Sequence, residues 1–289
     1  MPNENLLEKV KKLREFTGVG FKDCKNAIDK NDGDIEKSIE YLRKKGIAKA
    51  NKKMERIAAD GLISISEHKN KFSIIEVNSE TDFVAKNEEF IKFVEEISNI
   101  SLLNSGKMND ILNSQMKNKK NVQDNLVSII AKIGEKITIR RSDFIDSNNS
   151  VNFSYTHTEI KKNLGKIGVL LSLETSMNKE KLSQLGKQLA MHVAASSPLS
   201  VDEDTLDQQI VAKEKEIITE ELKNSGKDDK IIDKIETGKL NKFISDNTLL
   251  NQEWIMEPKK KVKDIIKEIA AKEKIVVKKF VRFKVGEGV

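Results

Sequence analysis

Apolar positions near the amino terminus recur at the three- and four-residue spacing of amphipathic helices. Three such stretches lie between Asn5 and Lys45, separated by glycine-containing breaks at 17–20 and 31–34. Glycine supports turn conformations at these breaks, and Asp34 is placed to cap the third helix. We therefore expect a three-helix module over residues 1–46. Residues 47–57, rich in Lys, Ala and Asn and without a clear apolar face, are predicted to form a linker that can be helical.

The pattern then changes to the two-residue alternation of strands, followed by broad apolar stripes at helical spacing. The predicted order is a hairpin of Gly61–Ser66 with Phe72–Val77, a helix from about Glu88 to Leu103, a helix from about Val122 to Ile133 and a strand from Lys136 to Phe144. Residues 58–145 are therefore predicted to form an α+β subdomain with an antiparallel sheet.

A similar order of elements returns after the polar stretch 146–150, which indicates an internal repeat. The predicted elements are strands from about Val151 to His157 and Ile167 to Leu173, a helix from about Lys179 to Ala195, a helix from about Lys260 to Ala271 and a strand from Ile275 to Val285. In both halves a strand is expected to end in Glu-Thr before a helix, at Glu80-Thr81 and Glu174-Thr175. We assign the second subdomain to residues 146–289.

The second subdomain contains two highly charged helical stretches, within about 202–247, separated by a polar turn at 224–229. The apolar residues expected to face each other are Leu206, Ile210, Ile217, Ile218 and Leu222 on the first stretch and Ile231, Ile232, Ile235, Leu240 and Phe243 on the second. This pattern predicts an inserted antiparallel helical hairpin that projects from the second subdomain.

The chain has 289 residues, of which 37% are hydrophobic and 34% charged, as expected for folded domains with a charged surface. It contains no apolar run of about 18–20 residues and no signal-peptide pattern, so we expect a cytoplasmic protein without membrane contacts. Cys24 is the single cysteine, which excludes an intramolecular disulfide or a site with several thiolate ligands. Its position beside Ala27 and Ile28 predicts a buried thiol.

The net charge of +6 is weak evidence for a nucleic-acid partner, because acidic residues interrupt almost every basic stretch. The densest basic run, Lys259–Lys263, is either a solvated helix start or loop or a phosphate-binding patch. An RNA- or ribosome-associated binding protein is therefore the alternative function, although nucleic acid is not the partner we favour.

Enzyme chemistry finds no support in the pattern of residues. Neither Gly18-Val19-Gly20 nor Gly286-Glu287-Gly288 has the lysine and strand-to-helix context of a phosphate loop, so we expect no direct nucleotide binding. The histidines at 68, 157 and 192 lack metal-ligand spacing. We predict no catalytic residue, no cofactor and no metal site.

One unusual segment stands at a strand-to-helix junction, where Asp82 precedes Phe83. The structural interpretation is that Asp82 caps the helix and Phe83 returns to the core as its hydrophobic staple. The functional interpretation is that both are exposed for a partner. The segment comprises Thr81, Asp82, Phe83, Val84, Ala85, Lys86 and Asn87.

Several blocks, in a shared order, resemble the elongation factor Ts family. They are Leu13–Gly20 with Asp23-Cys24-Lys25, Glu76–Asn87, Ala131–Glu135 with Ile139–Arg141, Met191–Ser196 and Phe280–Gly288. The resemblance covers nearly the whole chain. It implies a ubiquitin-associated-like amino-terminal module, a core of two related subdomains and an inserted helical arm.

The resemblance also implies a guanine-nucleotide exchange factor, whose partner is elongation factor Tu in its GDP-bound and nucleotide-free forms. Family members place the Asp-Phe pair, here Asp82 and Phe83, next to the partner's magnesium site, so that GDP leaves and GTP can bind. A G protein holds its nucleotide through loop amides and magnesium, so an exchange factor must disturb those contacts.

Secondary contacts follow from the same resemblance. Val19, Gly20 and Phe21 match a family contact loop, for which a solvated loop is the alternative. His157 matches a family position near the partner's phosphate-binding loop, for which an exposed strand end is the alternative. His192 lies on a helix of the family's contact surface, but its apolar neighbours favour a position between core and surface.

Overall fold

The computed structural model describes residues 6–17, 19–53, 55–146, 150–223 and 229–289, with the backbone alone at 47–52, 223 and 229–231. Within these ranges the chain contains both helices and strands, and the strands of the three sheets pair antiparallel. The predicted α+β class is therefore confirmed.

Three helices form the amino-terminal module: α1 (Leu6–Thr17), α2 (Phe21–Lys30) and α3 (Ile35–Lys53). Their apolar faces enclose a small core of Val10, Leu13, Cys24, Ala27, Ile28 and Leu42. The Lys37 N–H donates to Asp34 Oδ1 at 3.0 Å, which confirms the predicted cap of α3. The Cys24 thiol is fully buried, and burial raises its pKa.

Helix α3 does not stop at residue 46. It continues to Lys53 through the first part of the stretch expected to be a linker. Lysine and alanine are strong helix formers, and no proline interrupts this stretch, so the helix has no local reason to end earlier. The first module is therefore joined to the next one by a continuous helix over most of the segment 47–57.

The first core subdomain contains β1 (Asp60–His68), β2 (Lys71–Ser79), α4 (Asp82–Ala85), α5 (Glu88–Leu103), α6 (Met108–Asn113), α7 (Val122–Ile133) and β3 (Ile137–Asp146). Strand β2 is central, with β1 and β3 on its two sides. Helices α5 and α7 cover one face, and α3 also contacts α7 through an ion pair between Arg43 Nη2 and Asp124 Oδ1 at 3.0 Å.

The second core subdomain contains β4 (Ser150–His157), β5 (Leu164–Gly165), β6 (Ile167–Thr175), α8 (Lys179–Ser196), α9 (Gln208–Lys223), α10 (Asp229–Asn247), β7 (Glu253–Trp254), β8 (Glu257–Lys261), α11 (Val262–Ala270) and β9 (Ile275–Lys284). Strand β6 is central, between β4 and β9. Helix α11 begins at Val262 rather than near Lys260, because Glu257–Lys261 forms a short hairpin with β7.

The two halves share one strand-and-helix plan, and each central strand has nine residues. Both show an irregularity in pairing with their last strand, between Glu76 and Val77 in β2 and between Ser172 and Leu173 in β6. If these two irregularities are aligned, the two halves match two residues away from the alignment predicted from Glu80-Thr81 and Glu174-Thr175. Glu80 and Thr81 lie beyond the end of β2, whereas Glu174 and Thr175 belong to β6.

Helices α9 and α10 form the predicted antiparallel hairpin, but their contact is partly polar. Ile218 and Leu222 are buried, whereas Ile217 is 52% exposed, so the expected apolar face is incomplete. Thr219 Oγ1 donates to Glu236 Oε2 at 2.8 Å. The polar turn was expected at 224–229, and its residues 224–228 lie outside the described residues. The side chain of Ile231 also lies outside them.

The two core subdomains are joined through both backbone and side chains. Strand β5 of the second subdomain adds to the edge of the first sheet, where Gly165 pairs with Ile63. A shared apolar cluster contains Ile63, Ile65, Phe72, Ile74 and Ile145 from the first subdomain with Leu170, Val281 and Phe283 from the second. The two sheets therefore pack on each other.

A buried carboxylate on β2 fixes the end of the chain to this core. Glu76 is fully buried and accepts bonds from Arg140 Nη1 at 3.1 Å, Arg141 Nε at 2.6 Å and the Gly286 N–H at 2.9 Å. Burial raises the pKa of Glu76, but the Gly286 N–H, Asn78 and Arg141 outweigh it and hold the pKa below 4.5. Gly286 has φ +72°, and a Cβ there would lie 2.0 Å from the Ala59 carbonyl oxygen.

Removing the carboxylate in Glu76→Ala should lower the free energy of unfolding by about 3 kcal/mol at pH 7, because two arginines lose a buried partner. Since the folded-state pKa lies below 4.5, this contribution is present above pH 4.5 and disappears as the pH falls through the folded-state value. Urea denaturation at several pH values measures both effects. Glu174→Ala, which removes the exposed partner of Lys278, is the matched control and should change stability much less. A pH-independent difference between Glu76→Ala and the wild type would contradict the assignment.

Candidate functional site

The segment Thr81–Asn87, here called the tip, connects the central strand of the first sheet to helix α5. Its middle is the one-turn helix α4, whose turn is closed by bonds from the Lys86 N–H to the Phe83 carbonyl at 3.2 Å and from the Asn87 N–H to the Val84 carbonyl at 2.9 Å. The tip is therefore a folded turn between two regular elements.

Burial alternates sharply along the tip. Phe83 is 79% exposed, whereas the next residues, Val84 and Ala85, are 6% and 0% exposed and belong to the first subdomain's core. Burial of the next two residues fixes the backbone orientation of Phe83. The ring therefore projects from a rigid base.

The capping interpretation of Asp82 and Phe83 is wrong. Asn87 caps α5, since its Oδ1 accepts the N–H groups of Glu89 at 2.9 Å and Phe90 at 3.3 Å. Asp82 lies in α4 itself, after Thr81 at the N-cap position. Because Asn87 holds the N-cap position of α5 and accepts two of its free N–H groups, Asp82 and Phe83 have no capping role there.

The Asp82 carboxylate forms an ion pair with Lys86 at 2.7 Å. The hydrogen bond from Lys86 holds the pKa of Asp82 below its ordinary value of 3.8, and it raises the pKa of Lys86. Asp82 is therefore charged at neutral pH. Both side chains are largely exposed, so this pair contributes little to stability and can be exchanged for other partners at low cost.

His157 lies at the same end of the molecule as the tip, and Lys166 connects the two regions. The positive charge of Lys166 further lowers the pKa of Asp82, and its Nζ donates to the carboxylate of Asp60 and to the Gly61 carbonyl. The Lys166 N–H donates to the His157 carbonyl at 3.2 Å. The β4 end that carries His157 therefore lies beside the strands at the base of the tip.

His157 is exposed at the end of β4, and its Nδ1 is hydrogen-bonded to the Tyr155 hydroxyl at 2.9 Å. Val19 and Gly20 lie in the α1–α2 connection of the first module, and Phe21 is the first residue of α2. Phe21 is 43% exposed and Val19 half-buried. No hydrogen bond or ion pair in the described ranges links these three residues to the tip. They form a separate surface.

His192 is unavailable as a contact residue. It is fully buried, stacks on Trp254 with ring centroids 5.3 Å apart, and shares a hydrogen bond of 2.9 Å between its Nε2 and Gln252 Oε1. Burial lowers its pKa, against the effect of Gln252. Its role is to join α8 to the strand β7 that follows the helical hairpin.

Within the described ranges, no group of three His, Cys, Asp or Glu side chains is placed to hold a metal ion. No helix in that part of the chain is both long and apolar enough to cross a membrane. The tip itself presents an exposed aromatic ring and a carboxylate, a combination that suits contact with another protein surface.

The family model for elongation factor Ts matches residues 80–287. Elongation factor Ts of Rickettsia felis is 42% identical over 284 residues, covering 97% of this chain and 91% of the relative. The chain belongs to the elongation factor Ts family. Elongation factor Ts of Maricaulis maris is 40% identical over 286 residues and that of Rickettsia typhi 43% over 285, each with the same two coverages.

Membership of the elongation factor Ts family confirms the resemblance on which the sequence prediction rested. The chain is accordingly a translation elongation factor, which acts in protein biosynthesis. The match to the family model begins at Glu80, so it includes the whole tip.

Sequence reasoning missed the residues that support the tip from outside it. Lys166 stands in a turn of the second subdomain, and Glu135, whose carboxylate accepts the Thr81 N–H at 3.0 Å, is 54 positions away. Glu135 belongs to a block that resembles the family, but it was not singled out, and Lys166 was not named at all. No local pattern indicates which distant segment a charged side chain will contact.

Because Phe83 already lies in water, Phe83→Ala should change the free energy of unfolding by less than about 0.5 kcal/mol. Val84→Ala, one position later, removes buried methyl groups and should cost about 1.5 kcal/mol. Urea denaturation of the two variants makes the comparison. If Phe83→Ala were the more destabilising change, the ring would have to pack inward in solution.

Proposed function

We propose that this chain is the guanine-nucleotide exchange factor for elongation factor Tu in the cytoplasm. It binds the GDP-bound form, promotes release of GDP, and leaves an empty site that GTP refills. Exchange breaks no covalent bond, so the function needs no catalytic residue in this chain. The observation that carries the proposal is the exposed Phe83 on a fixed base, within a member of the elongation factor Ts family.

Phe83 acts as the anchor of the contact. An aromatic side chain that leaves water for a crevice of the partner gains about 1.5–3 kcal/mol. Its backbone is already fixed by Val84 and Ala85, so little of this gain is lost in ordering the backbone. We infer that the tip enters the partner next to its magnesium site.

Asp82 supplies a negative charge beside that anchor. Its ion pair with Lys86 is exposed, so the carboxylate can turn to the partner at small cost. Close to a bound nucleotide, it competes for the donors and metal-site waters that hold the phosphates. Thr81, Val84, Ala85, Lys86 and Asn87 complete the tip by fixing the direction in which the pair points.

The tip cannot act alone. Reversing a 1:99 population to 99:1 requires about 5.5 kcal/mol of differential affinity, which exceeds the contribution of one phenylalanine. We therefore assign secondary contacts to Val19, Gly20, Phe21 and His157, all of which reach the surface or lie close to it. The first three belong to a separate module, so the partner is held at two places.

The alternative of an RNA-binding protein receives less support. The run Lys259–Lys263 divides between strand β8 and helix α11. Lys260 forms ion pairs with Glu257 at 3.4 Å and Glu268 at 3.0 Å. Local acidic partners neutralise part of this run and reduce its attraction for phosphates.

The decisive assay follows release of fluorescent GDP from elongation factor Tu after mixing with the chain and excess unlabelled nucleotide. The wild type should accelerate release. Phe83→Ala should lower this acceleration by more than about tenfold, since loss of an interface anchor costs 2 kcal/mol or more. The double variant with Asp82→Ala should lower it further.

Leu103→Ala is the matched control, since Leu103 is 83% exposed in the same subdomain but lies at the far end of α5. Its exchange activity should stay within about twofold of the wild type. If the wild type leaves GDP release unchanged, the proposed function is wrong. If the double variant is fully active, the role of the tip is wrong.

A further inference from the structure

Two segments meet directly below the tip, where the ladder between β2 and β3 ends. The last backbone pair of that ladder is Ser79 with Ile137. In the same antiparallel register, the next partners are Glu80 with Lys136 and Thr81 with Glu135. These four residues continue the ladder, but here the acceptors are side-chain carboxylates and not backbone carbonyls.

The contacts are reciprocal. The Glu135 carboxylate accepts the Thr81 N–H at 3.0 Å and the Thr81 hydroxyl at 2.8 Å. In the opposite direction, Glu80 Oε1 accepts the Lys136 N–H at 2.5 Å. Each segment thus supplies a carboxylate for a backbone N–H of the other. We call Glu80, Thr81, Glu135 and Lys136 the clasp.

A third segment closes the clasp from the side of helix α3. Arg56 Nη1 donates to the two oxygens of Glu80 at 3.3 and 3.2 Å, and Lys136 Nζ donates to the Arg56 carbonyl at 2.7 Å. Burial raises the pKa of Glu80, but the Lys136 N–H and the Arg56 guanidinium outweigh it and hold the pKa below 4.5. The Glu80 carboxylate is therefore charged where it accepts these bonds.

The clasp acts on the residue that precedes the exposed pair. Thr81 is the N-cap residue of α4, yet its hydroxyl makes no cap bond within that helix. It donates to Glu135 instead. The Thr81 side chain, which would normally cap the start of the helix, is thus bonded to a residue 54 positions away. This bond fixes the position of the backbone that leads into Asp82 and Phe83.

We propose that Glu135 is a positioning residue for nucleotide exchange: by holding both the N–H and the hydroxyl of Thr81, it fixes the direction in which Asp82 and Phe83 enter the partner. The proposal rests on the exchange function proposed above. Without Glu135, Thr81 loses both of its bonds to the segment before β3, and the start of the tip must be ordered at each encounter.

The test measures release of fluorescent GDP from elongation factor Tu over a range of concentrations of the full chain. Glu135→Ala should lower the maximal rate roughly tenfold, the factor that about 1.4 kcal/mol of ordering cost represents. The half-saturating concentration should change much less, because Val19, Gly20, Phe21 and His157 still dock. An unchanged maximal rate would overturn the proposal.

Glu135→Gln separates geometry from charge. Its amide oxygen can accept the Thr81 N–H while its NH₂ group donates to the Thr81 hydroxyl, so both contacts survive without the negative charge. We expect this variant to recover most of the maximal rate. If Glu135→Gln is as slow as Glu135→Ala, the positioning role is overturned in favour of a role for the charge.

Glu96→Ala is the matched control for loss of a carboxylate that accepts a backbone N–H. Glu96 accepts the Lys117 N–H at 2.5 Å, about two turns along α5 from the tip. Its maximal rate should equal that of the wild type, even if its urea midpoint falls as far as that of Glu135→Ala. If Glu96→Ala loses the same rate, general destabilisation explains the effect and the positioning role is wrong.

Thr81→Val provides a second test if Glu135→Ala does not fold. It removes the hydroxyl contact, keeps the N–H contact and keeps the side-chain shape, so we expect a smaller loss of maximal rate. An unchanged maximal rate in this variant would overturn the proposal.

If the wild-type chain fails to accelerate GDP release, the proposed exchange function is wrong, and the positioning role needs a different measurement. That measurement is amide hydrogen exchange at residues 82–86. The exchange rate should be higher in Glu135→Ala than in Glu96→Ala, and equal rates in the two variants would overturn the positioning role.

Discussion

Phe83 stays in water because the chain on both sides of it is fixed. Val84 and Ala85 lie in the core on one side, and Thr81 is bound to Glu135 on the other. A free segment of this composition would turn the ring inward and bury it, since burial of an aromatic ring is favourable. The exposed ring therefore depends on anchors on both sides, and so does any contact that it makes with a partner.

Those anchors in turn depend on strand β2, which carries Glu76 in its middle and the tip at its end. Glu76 joins β2 to Arg140 and Arg141 of β3 and to Gly286 after β9. The second subdomain is thereby attached to the strand that presents Phe83. The base of the tip is therefore attached to both sheets, which hold it rigidly.

Much of the fold could be predicted from local pattern. Helix α5 begins and ends where its apolar stripe does, because Asn87 caps it and no competing signal stands nearby. Local pattern alone left the exposure of Phe83 open, since Asp82 and Asn87 are both capping residues and only the structure shows that Asn87 caps α5. The family resemblance, and not the pattern, favoured an exposed ring. The predicted alignment of the two Glu-Thr pairs was shifted by two residues, because Glu174-Thr175 lies inside β6 whereas Glu80-Thr81 follows the end of β2. Contacts such as that of Glu135 with Thr81 join positions far apart in the chain, and no periodicity records them.

We propose that Phe83 makes its contact when the nucleotide site of elongation factor Tu is disturbed, and not merely on binding. This proposal is tested by the affinity of the chain for elongation factor Tu with and without GDP, for the wild type and for Phe83→Ala. The ratio of the two affinities gives the coupling between factor and nucleotide. We expect Phe83→Ala to reduce this ratio by at least about fivefold, because the lost contact belongs to the nucleotide-free complex. An equal loss of affinity in both states, with the ratio unchanged, would contradict it.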